Sequence, residues 1–222
     1  MKSRGQIVQH DLEQGMLLVL PSEISISRLY LCWHTIMDIT FGLVGTIILL
    51  LILPTIAMLI YFDSPGPIFY SQERLGFRGK IFRIYKFRSM QTDAEQDEYP
   101  VWAADDDVRV TSIGRFMRAL HLDELPQVLN ILRGEMSLIG PRPEREEFTR
   151  ELEQVVPSYR LRLAVKPGLT GWAQVNYHYT RTQEEAFVKL DYDLNYIKHR
   201  SFQLDLVIIF KTVVEVLSYH GT

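Results

Sequence analysis

The sequence predicts a mostly helical α+β protein that forms a single domain and is anchored to a membrane. Three observations lead to this class. An uncharged apolar segment covers residues 39–62, two β-rich runs flank a glycine-containing loop, and two amphipathic helical patterns lie near the end of the chain. With 222 residues, the chain is long enough to bury one sizeable core.

Composition excludes some broad classes of function. The formal net charge of −3 gives no reason to expect nucleic-acid binding. Cys32 is the single cysteine of the sequence, so no intrachain disulfide can form. A reducing, cytosol-facing location fits this cysteine usage best.

The apolar segment, "ITFGLVGTIILLLILPTIAMLIYF", is the strongest physical signal in the sequence. It exceeds the roughly 20 residues that a helix needs to cross a bilayer core. It begins too late and runs too long for a signal peptide, and no small-residue cleavage site follows. Because apolar residues cover every face, the pattern favours lipid over the alternative of a buried helix in a soluble protein.

Pro54 lies inside this segment and determines what kind of anchor it forms. A proline removes one backbone donor and clashes with the carbonyl of Leu50, so the helix must kink or break. The residues alone leave two arrangements open, a kinked span and a helix that returns to the same face. The basic residues after the segment are typical of a cytoplasmic side, but the charges before it are balanced. The preceding "ISISRLYLCWH" suits an interfacial helix with Trp33 at the headgroups.

The two β-rich runs, 68–74 and 81–87, flank "LGFRGK" and predict a β-hairpin. Lys86 and Arg88 cluster at its far end together with Arg83. A solvated basic edge strand explains such a cluster, and so does a site for a polyphosphate or for anionic lipid headgroups.

Adjacent carboxylates follow in "HLDELPQVLN", after a short predicted helix, "TSIGRFMRALHL", that carries Arg118. Pro126 marks the first turn of a further helix, so Asp123 and Glu124 are predicted at its N-terminal end. The partial positive charge there favours ionised carboxylates. The alternative is that Asp123 is an ordinary N-cap residue.

Two loops rich in glycine and proline come next. In "GEMSLIGPRPERE" the prolines fix the backbone around Arg142, which suits planar recognition of a phosphate but also a plain structural turn. The second loop, "KPGLTGWAQV", contains Gln174. Beyond it, residues 183–199 predict an amphipathic helix. A second one is predicted for "FQLDLVIIFKTVVEVLSYH", which is apolar enough to pack the core or to rest on a membrane surface.

Taken in order, "GPIFYSQERLG", "KFRSM", "LDELPQVLNILRGEMSLIGPRP" and "PGLTGWAQV" resemble one family, with family-like spacing. The chain is similar to the bacterial sugar transferases, the monotopic polyprenyl-phosphate phosphoglycosyl transferases, from about Arg28 to its C-terminus. Its last part resembles exopolysaccharide-type members most. Those often carry further N-terminal transmembrane helices, so the resemblance implies that this chain corresponds to the catalytic unit alone.

The resemblance also implies how the chain is anchored. Family members use a re-entrant helix hairpin bent at a proline, here Pro54, which keeps both ends cytoplasmic; the family's serine before it is replaced by Leu53. The expected organisation is an N-terminal interfacial segment (1–35), a re-entrant membrane helix (36–62) and a cytoplasmic catalytic domain (63–222). The expected location is the bacterial inner membrane, with the catalytic domain on its cytoplasmic face.

The implied reaction moves a sugar 1-phosphate from a UDP-sugar to polyprenyl (undecaprenyl) phosphate, releases UMP and starts exopolysaccharide assembly at the membrane. By the family's match, Asp123 is the nucleophile that forms a phosphosugar-aspartate. Glu124 is its dyad partner, and both carboxylates are expected to ligate Mg²⁺, which prefers carboxylate and phosphate oxygens. The candidate substrate-binding residues are Lys86, Arg88, Arg118, Arg142 and Gln174.

Two rival functions stay open at this point. A membrane-bound hydrolase of nucleotide sugars would use Asp123 and Glu124 only to hold metal, and water would replace the lipid acceptor. A non-enzymatic scaffold would use the basic hairpin to bind anionic lipid. The sugar is not readable from the sequence, although residues 176–182 are either a loop that helps to choose it or a plain solvated loop.

Overall fold

The computed structural model describes residues 27–92, 107–177 and 183–218. The expectations for the first 26 residues and for most of 176–182 lie outside these described residues. Ten elements follow one another in the described chain: α1 (Arg28–Asp63), β1 (Phe69–Leu75), β2 (Ile81–Phe87), α2 (Ser112–Ala119), α3 (Val128–Leu132), β3 (Ser137–Ile139), α4 (Glu146–Val155), β4 (Gly168–Thr170), α5 (Gln183–His199) and α6 (Phe202–Leu217). Longer 3₁₀ segments cover Leu122–Gln127 and Pro157–Ala164.

The predicted class, a mostly helical α+β single domain, is confirmed. Its longest element, α1, begins after the N-cap Ser27, whose side chain accepts a hydrogen bond from Leu29 N. The helix therefore includes part of the stretch expected as a separate interfacial segment. It continues through Pro54 without an interruption of its helical structure. Within the described residues it is the one helix whose length and composition suit a membrane, a test that core helices of soluble proteins also pass.

One stripe of α1 packs against the rest of the chain. Leu49, Ile56 and Ile60 are buried in an apolar cluster with Phe87 and Val128. Their spacing of about one or two turns places them on a single face of the helix. The other faces keep large exposed apolar residues: Ile36, Ile39, Leu43, Val44, Ile47, Ile48, Leu50, Leu51, Met58, Tyr61 and Phe62. In water this surface would be unfavourable, whereas a bilayer would solvate it.

Two glycines bring α1 close to α3. A Cβ atom at Gly42 would lie 2.6 Å from Leu132 Cδ2, and one at Gly45 would lie 2.6 Å from Val128 Cγ1. Side chains at either position would push the two helices apart. Because α3 directly follows the 3₁₀ segment that contains the two adjacent carboxylates, this contact ties the apolar helix to that segment.

The β-hairpin is confirmed. Strands β1 and β2 pair antiparallel from Phe69↔Phe87 to Leu75↔Ile81, so β1 begins one residue later than predicted. The chain reverses at Phe77–Gly79, where Gly79 has a φ of 76°. The buried Asn130 of α3 ties down the edge of β2, accepting a hydrogen bond from Tyr85 N (3.1 Å) and donating one to Arg83 O (2.7 Å).

A second, two-stranded sheet was not predicted. Strands β3 and β4 pair in parallel, with Ser137 opposite Gly168 and Ile139 opposite Thr170. The pairing brings the two loops rich in glycine and proline together, and Gly140 N donates to Thr170 O (2.9 Å). A Cβ at Gly168 would lie 2.1 Å from Gly140 N, so the contact requires a glycine there.

Helices α2, α5 and α6 are confirmed at the predicted places. Leu190, Leu194 and Ile197 of α5 and Ile208 of α6 belong to the largest apolar cluster, which Met37 of α1 joins. Large apolar residues of α6 remain exposed: Phe202, Leu206, Val207, Phe210, Val213, Val214 and Leu217. Helix α6 thus resembles α1 in having one packed face and one bare apolar face.

Candidate active site

The adjacent carboxylates lie within the 3₁₀ segment Leu122–Gln127, and not at the start of the longer α-helix that was expected from Pro126. His121 precedes them in the left-handed region (φ 54°) and makes no side-chain cap hydrogen bond. The capping position is therefore His121, and the alternative of Asp123 as an N-cap is wrong. Asp123 and Glu124 are both buried, with 6% and 8% of their surface exposed.

Glu124 is held by two cations from different parts of the chain. Its Oε1 atom accepts hydrogen bonds from Lys86 Nζ (2.7 Å) and Arg142 Nη2 (2.6 Å). Burial alone would raise the pKa of Glu124, but Arg142 and Lys86 outweigh burial and hold it well below its usual range. Glu124 is therefore ionised, and we define it with Lys86 and Arg142 as the charge cluster.

Asp123 differs from its neighbour in having no hydrogen-bond donor among the described residues. Burial raises the pKa of its carboxyl group, and the charge of Lys86 opposes that rise. Desolvation therefore dominates at Asp123, and the net direction is opposite to the one expected at a helix N-terminus. A weakly solvated carboxylate without donors keeps its lone pairs available to an electrophile.

Arg118 and Arg88 occupy different surroundings. The Arg118 Nε atom donates to Ser89 Oγ (3.0 Å), and its charge acts on Asp123 by opposing the effect of burial on that pKa. The buried Arg88 guanidinium instead donates to the carbonyl oxygens of Ser64 and Pro65, directly after α1. Among the described contacts, none joins Arg88 to the two carboxylates, and its visible partners fix the turn that follows the apolar helix.

Gln174 also has a local partner, since its Nε2 atom donates to Leu169 O (2.9 Å). Its Oε1 atom is buried and has no hydrogen-bond partner among the described residues. The second loop thus holds one unpaired acceptor. No described contact connects Gln174 to Asp123 or Glu124.

The loop 140–143, which we call the arginine loop, is fixed through its backbone. Gly168 N donates to Pro141 O (2.9 Å), and Leu75 N donates to Glu144 O (2.9 Å) just after the loop. Its prolines restrict φ on both sides of Arg142. The Arg142 side chain is 44% exposed, so it holds Glu124 while part of it faces solvent.

Sequence reasoning missed a buried ion pair behind this loop. Arg162 donates from Nε (3.0 Å) and from Nη2 (2.6 Å) to Asp193 Oδ2, and only 6% and 2% of the two residues is exposed. A signal was present, because Asp193 stands on the apolar stripe of α5 between Leu190 and Ile197. A carboxylate on such a stripe requires a buried partner.

The two adjacent carboxylates fit a magnesium site in part. No group of three or more His, Cys, Asp or Glu side chains that could hold a metal exists among the described residues. Mg²⁺ is commonly bound by one or two carboxylates with substrate phosphates and water, so two acidic residues are sufficient. Asp123 offers oxygens without described donors, and Glu124 offers Oε2, whose nearest described donor, Arg142 Nη1, lies at 3.4 Å. Oxygens of this kind are hard ligands and suit the ion.

Comparison with known proteins shows to which class of enzyme the chain is similar. Residues 29–219 match the family model described as "Bacterial sugar transferase". The chain is 45% identical over 165 residues to the UDP-N-acetylgalactosamine-undecaprenyl-phosphate N-acetylgalactosaminephosphotransferase of Aeromonas hydrophila, covering 74% of this chain and 39% of that protein. It is 43% identical over 174 residues to the UDP-glucose:undecaprenyl-phosphate glucose-1-phosphate transferase of Escherichia coli K12, covering 76% of this chain and 37% of that protein. By these relatives the chain falls in the transferase class.

The chain belongs to the bacterial sugar transferase family. It spans less than half the length of the two relatives just named. It is also 38% identical over 186 residues to the exopolysaccharide production protein PSS of Rhizobium leguminosarum bv. phaseoli, covering 82% of this chain and 93% of that protein. The family resemblance inferred from the four sequence motifs is thereby confirmed.

Proposed function

We propose that this chain transfers a sugar 1-phosphate from a UDP-sugar to polyprenyl phosphate through a covalent phosphosugar-aspartate on Asp123. The observation that carries the proposal is the contrast between the adjacent carboxylates. Glu124 is occupied by two cations, whereas the buried Asp123 has no described donor. One carboxylate organises positive charge and the other is available for bond formation.

The first chemical step uses Asp123 as the nucleophile. A carboxylate oxygen bonds to the sugar-bearing phosphorus of the UDP-sugar, and the bond from that phosphorus to the bridging oxygen of UMP breaks. Lys86 and Arg142 lie beside the attacking group and stabilise the negative charge that builds up on the phosphate oxygens. The exposed part of Arg142 gives a diphosphate access to a guanidinium that is already oriented.

The second step regenerates the enzyme. An oxygen of polyprenyl phosphate bonds to the same phosphorus, and the bond between that phosphorus and Asp123 breaks. The products are a polyprenyl-diphosphate sugar and the free carboxylate. Because the transfer is split, the site never has to hold two bulky anions at once.

Asp123 and Glu124 are the residues that would hold Mg²⁺, which would supply charge neutralisation for the diphosphate when bound. The protein's own side chains also supply positive charge at the site. Lys86 and Arg142 fix Glu124, and Arg118 adds a further positive charge near Asp123.

The relatives support the proposed substrate class, because their names specify UDP-sugars and undecaprenyl phosphate. Those names specify two different sugars, N-acetylgalactosamine and glucose, so they do not choose the sugar for this chain. One relative is named for exopolysaccharide production, which supports a role at the start of exopolysaccharide assembly.

The membrane arrangement that we propose is a re-entrant α1 with the domain resting at the cytoplasmic face of the inner membrane. The packing of α1 supports this. Gly45 and Leu49 before Pro54, and Ile56 and Ile60 after it, all pack against the domain. A helix that crossed the bilayer could not keep its middle in contact with a domain in water, whereas a helix lying in one leaflet could.

Cysteine labelling tests this arrangement. In a Cys32→Ser background, single cysteines near residue 5 and near residue 80 are treated with a membrane-impermeant maleimide in sealed inverted vesicles and in right-side-out vesicles. The proposal predicts that both positions are labelled in inverted vesicles and protected in the others. Labelling of the two positions from opposite faces would establish a true span.

Transfer of labelled sugar phosphate tests the reaction. Purified protein in detergent is given polyprenyl phosphate and UDP-sugars that carry ³²P in the sugar-bearing phosphate, and the organic phase is counted. We expect label in the organic phase with at least one UDP-sugar, and none with Asp123→Asn. Label that remains in the aqueous phase as sugar phosphate would favour the nucleotide-sugar hydrolase, in which water replaces the lipid.

A scaffold without enzymatic activity makes a different prediction. It would bind vesicles of anionic lipid, and neither the wild-type protein nor Asp123→Asn would change any UDP-sugar. The Asp123→Asn protein is therefore also measured for vesicle binding, which our proposal expects to match that of the wild-type protein.

A further inference from the structure

Arg162 stands at the centre of a buried network behind the arginine loop. Its guanidinium donates to Asp193 on α5, to Tyr159 Oη (3.0 Å) and to the backbone oxygen of Arg142 (Nη2, 3.1 Å). The nearest oxygen of Glu144 lies 3.9 Å from its Nη1 atom. Each guanidinium nitrogen therefore has at least one hydrogen-bond acceptor, and the side chain is held in a single geometry.

The contact with the Arg142 carbonyl links this network to the charge cluster. Arg142 lies between two prolines, which have no backbone N–H to donate, so its carbonyl is one of few groups through which the fold can hold the loop. Its side chain contacts Glu124 at 2.6 Å. A continuous path of contacts thus runs from Asp193 through Arg162 and Arg142 to Glu124.

We infer that Arg162, held by Asp193, is a positioning residue that sets the place of Arg142 and thereby of Glu124. The inference deepens the proposed function and rests on it for its kinetic readout. Arg162 is 6% exposed, and each nitrogen of its guanidinium already donates to an acceptor of the protein, so we infer that it acts through Arg142. A lysine cannot replace it, because one ammonium group cannot reach Asp193, Tyr159 and the Arg142 carbonyl in the same geometry.

Neighbouring Arg160 offers a matched control. It lies in the same 3₁₀ segment and also binds two oxygens by ion pairs, donating to Glu153 (2.6 Å) and to Glu146 (2.8 Å). It is 36% exposed and has no described contact with the arginine loop. A change at Arg160 therefore disturbs two ion pairs of similar length without touching Arg142.

The first test measures the loop without any reaction. In Arg162→Lys we expect hydrogen exchange to become about tenfold faster at the amides of Gly168 and Leu75, which donate to Pro141 and Glu144. The amide of Val156, which donates to Leu152 at the end of α4, should not change. Arg160→Lys should leave the two loop amides unchanged. Unchanged exchange at both loop amides in Arg162→Lys would overturn the inference.

The second test is a kinetic cycle. Arg162→Lys is expected to lower kcat/KM about 10- to 100-fold, as is common when a supporting partner of a functional residue is lost. If Arg162 acts through Arg142, the double variant Arg142→Lys/Arg162→Lys should be no slower than Arg142→Lys alone, within about twofold. Losses that multiply would show that Arg162 contributes independently of Arg142, and the inference would be wrong.

Faster exchange at every amide would show that Arg162→Lys fails to fold. In that event Asp193→Asn is the variant that tests the inference. This variant keeps an acceptor but loses the charge that orients Arg162, so it should show the same selective exchange and a smaller loss of kcat/KM. Equal exchange rates in Asp193→Asn and wild type would contradict the inference. Absence of sugar-phosphate transfer by the wild-type protein would defeat the proposed function alone, since the exchange measurement does not depend on it.

Discussion

Two polar clusters of this protein differ in the groups that bind their carboxylates. The charge cluster joins Lys86, Glu124 and Arg142, which come from three separate segments, through ion pairs of 2.6–2.7 Å. All its partners are charged side chains, and one of them is 44% exposed. A phosphate can therefore compete with Glu124 for the same cations.

The second cluster, which we call the anchor cluster, ties α1 to the domain. Asp38 accepts hydrogen bonds from Ser137 Oγ and from Leu138 N, both at 2.8 Å. Nearby, Tyr196 Oη donates to Asp205 Oδ1 (3.1 Å). Asp38 Oδ2 also lies 3.7 Å from His34 Nδ1 on the same helix. Since the hydrogen-bond donors to Asp38 are a hydroxyl and a backbone amide of β3, a ligand cannot replace them without disrupting that strand.

A buried carboxylate can therefore either organise charged groups of a candidate active site, as Glu124 does, or hold one element of the fold in place, as Asp38 does. Glu124 binds two cationic side chains, one of which is 44% exposed, while Asp38 accepts hydrogen bonds from a hydroxyl and a backbone amide. Changing the first should alter activity more than stability, and changing the second should do the reverse.

The largest effect is expected at Glu124. Glu124→Gln keeps the shape of the side chain but leaves Lys86 and Arg142 without their counter-charge, so the two cations lose their orientation. We expect transfer to fall by about 100-fold or more. The measurement is the initial rate of lipid-linked product formation. Glu147→Gln, which removes a 57% exposed partner of Arg145, is the control and should retain wild-type rates.

The next largest effect is expected at Asp38 and concerns stability. Asp38→Ala leaves the buried Leu138 amide without an acceptor, which costs about 1–3 kcal/mol in free energy of unfolding. Thermal unfolding in detergent should show a lower Tm, while the remaining folded protein keeps its rate. Asp38→Asn retains an oxygen acceptor and should lose less. An equal loss in the two variants, which both lack the charge, would show that charge, and not the hydrogen bonds, holds α1.

A substitution at Gly45 tests the apolar contact between α1 and α3 without changing the hydrogen bonds of Asp38. In Gly45→Val the added side chain meets Val128, which lies 2.6 Å from the position of the first added atom. Such overpacking typically costs about 1–3 kcal/mol, and we expect the lower part of that range because the contact is side chain against side chain. Val44→Leu, on the 52% exposed neighbour, should leave the Tm unchanged. Equal Tm values for Gly45→Val and wild type would show that α1 is not docked as described.

The smallest change in stability is expected at the partly exposed ion pair between Glu146 and Arg160. A hydrogen bond from Arg160 holds the pKa of Glu146 below its usual range. The stabilisation is therefore present above the pKa of the unfolded state and is lost as the pH falls through the lower folded-state pKa. Because the pair is partly exposed, it is worth at most about 0.5 kcal/mol. Glu146→Gln should lower the Tm slightly near neutral pH and match wild type in acid. A difference that grows as the pH falls would contradict the assignment.

Local patterns in the sequence were sufficient for much of the fold. The apolar run predicted α1, the glycine-containing loop predicted the β-hairpin, and amphipathic spacing predicted α5 and α6. The β3–β4 pair escaped prediction because each strand has only three residues and the two lie far apart in the chain. A parallel pair that short has no alternating pattern to reveal it.

The sequence predicted which residues belong to the candidate site, but not which of them contact one another. The family motifs named Asp123, Glu124, Arg142 and Lys86 as candidates, and the structure joins Lys86 and Arg142 to Glu124. Their roles toward substrate stay predictions. Arg88 lies in the same basic run, yet its described partners are carbonyl oxygens after α1, a choice that depends on the path of the backbone. Arg162 stayed hidden because its partner is 31 residues away.

The covalent mechanism requires that Asp123 form a bond to the substrate. The direct measurement is the intact mass of the purified protein after incubation with the UDP-sugar it uses, with polyprenyl phosphate withheld. We predict a mass increase equal to one sugar phosphate, located on Asp123 by peptide mapping, absent from Asp123→Asn and lost when polyprenyl phosphate is added. An unmodified mass, together with UMP release that requires donor and lipid at the same time, would contradict the covalent mechanism.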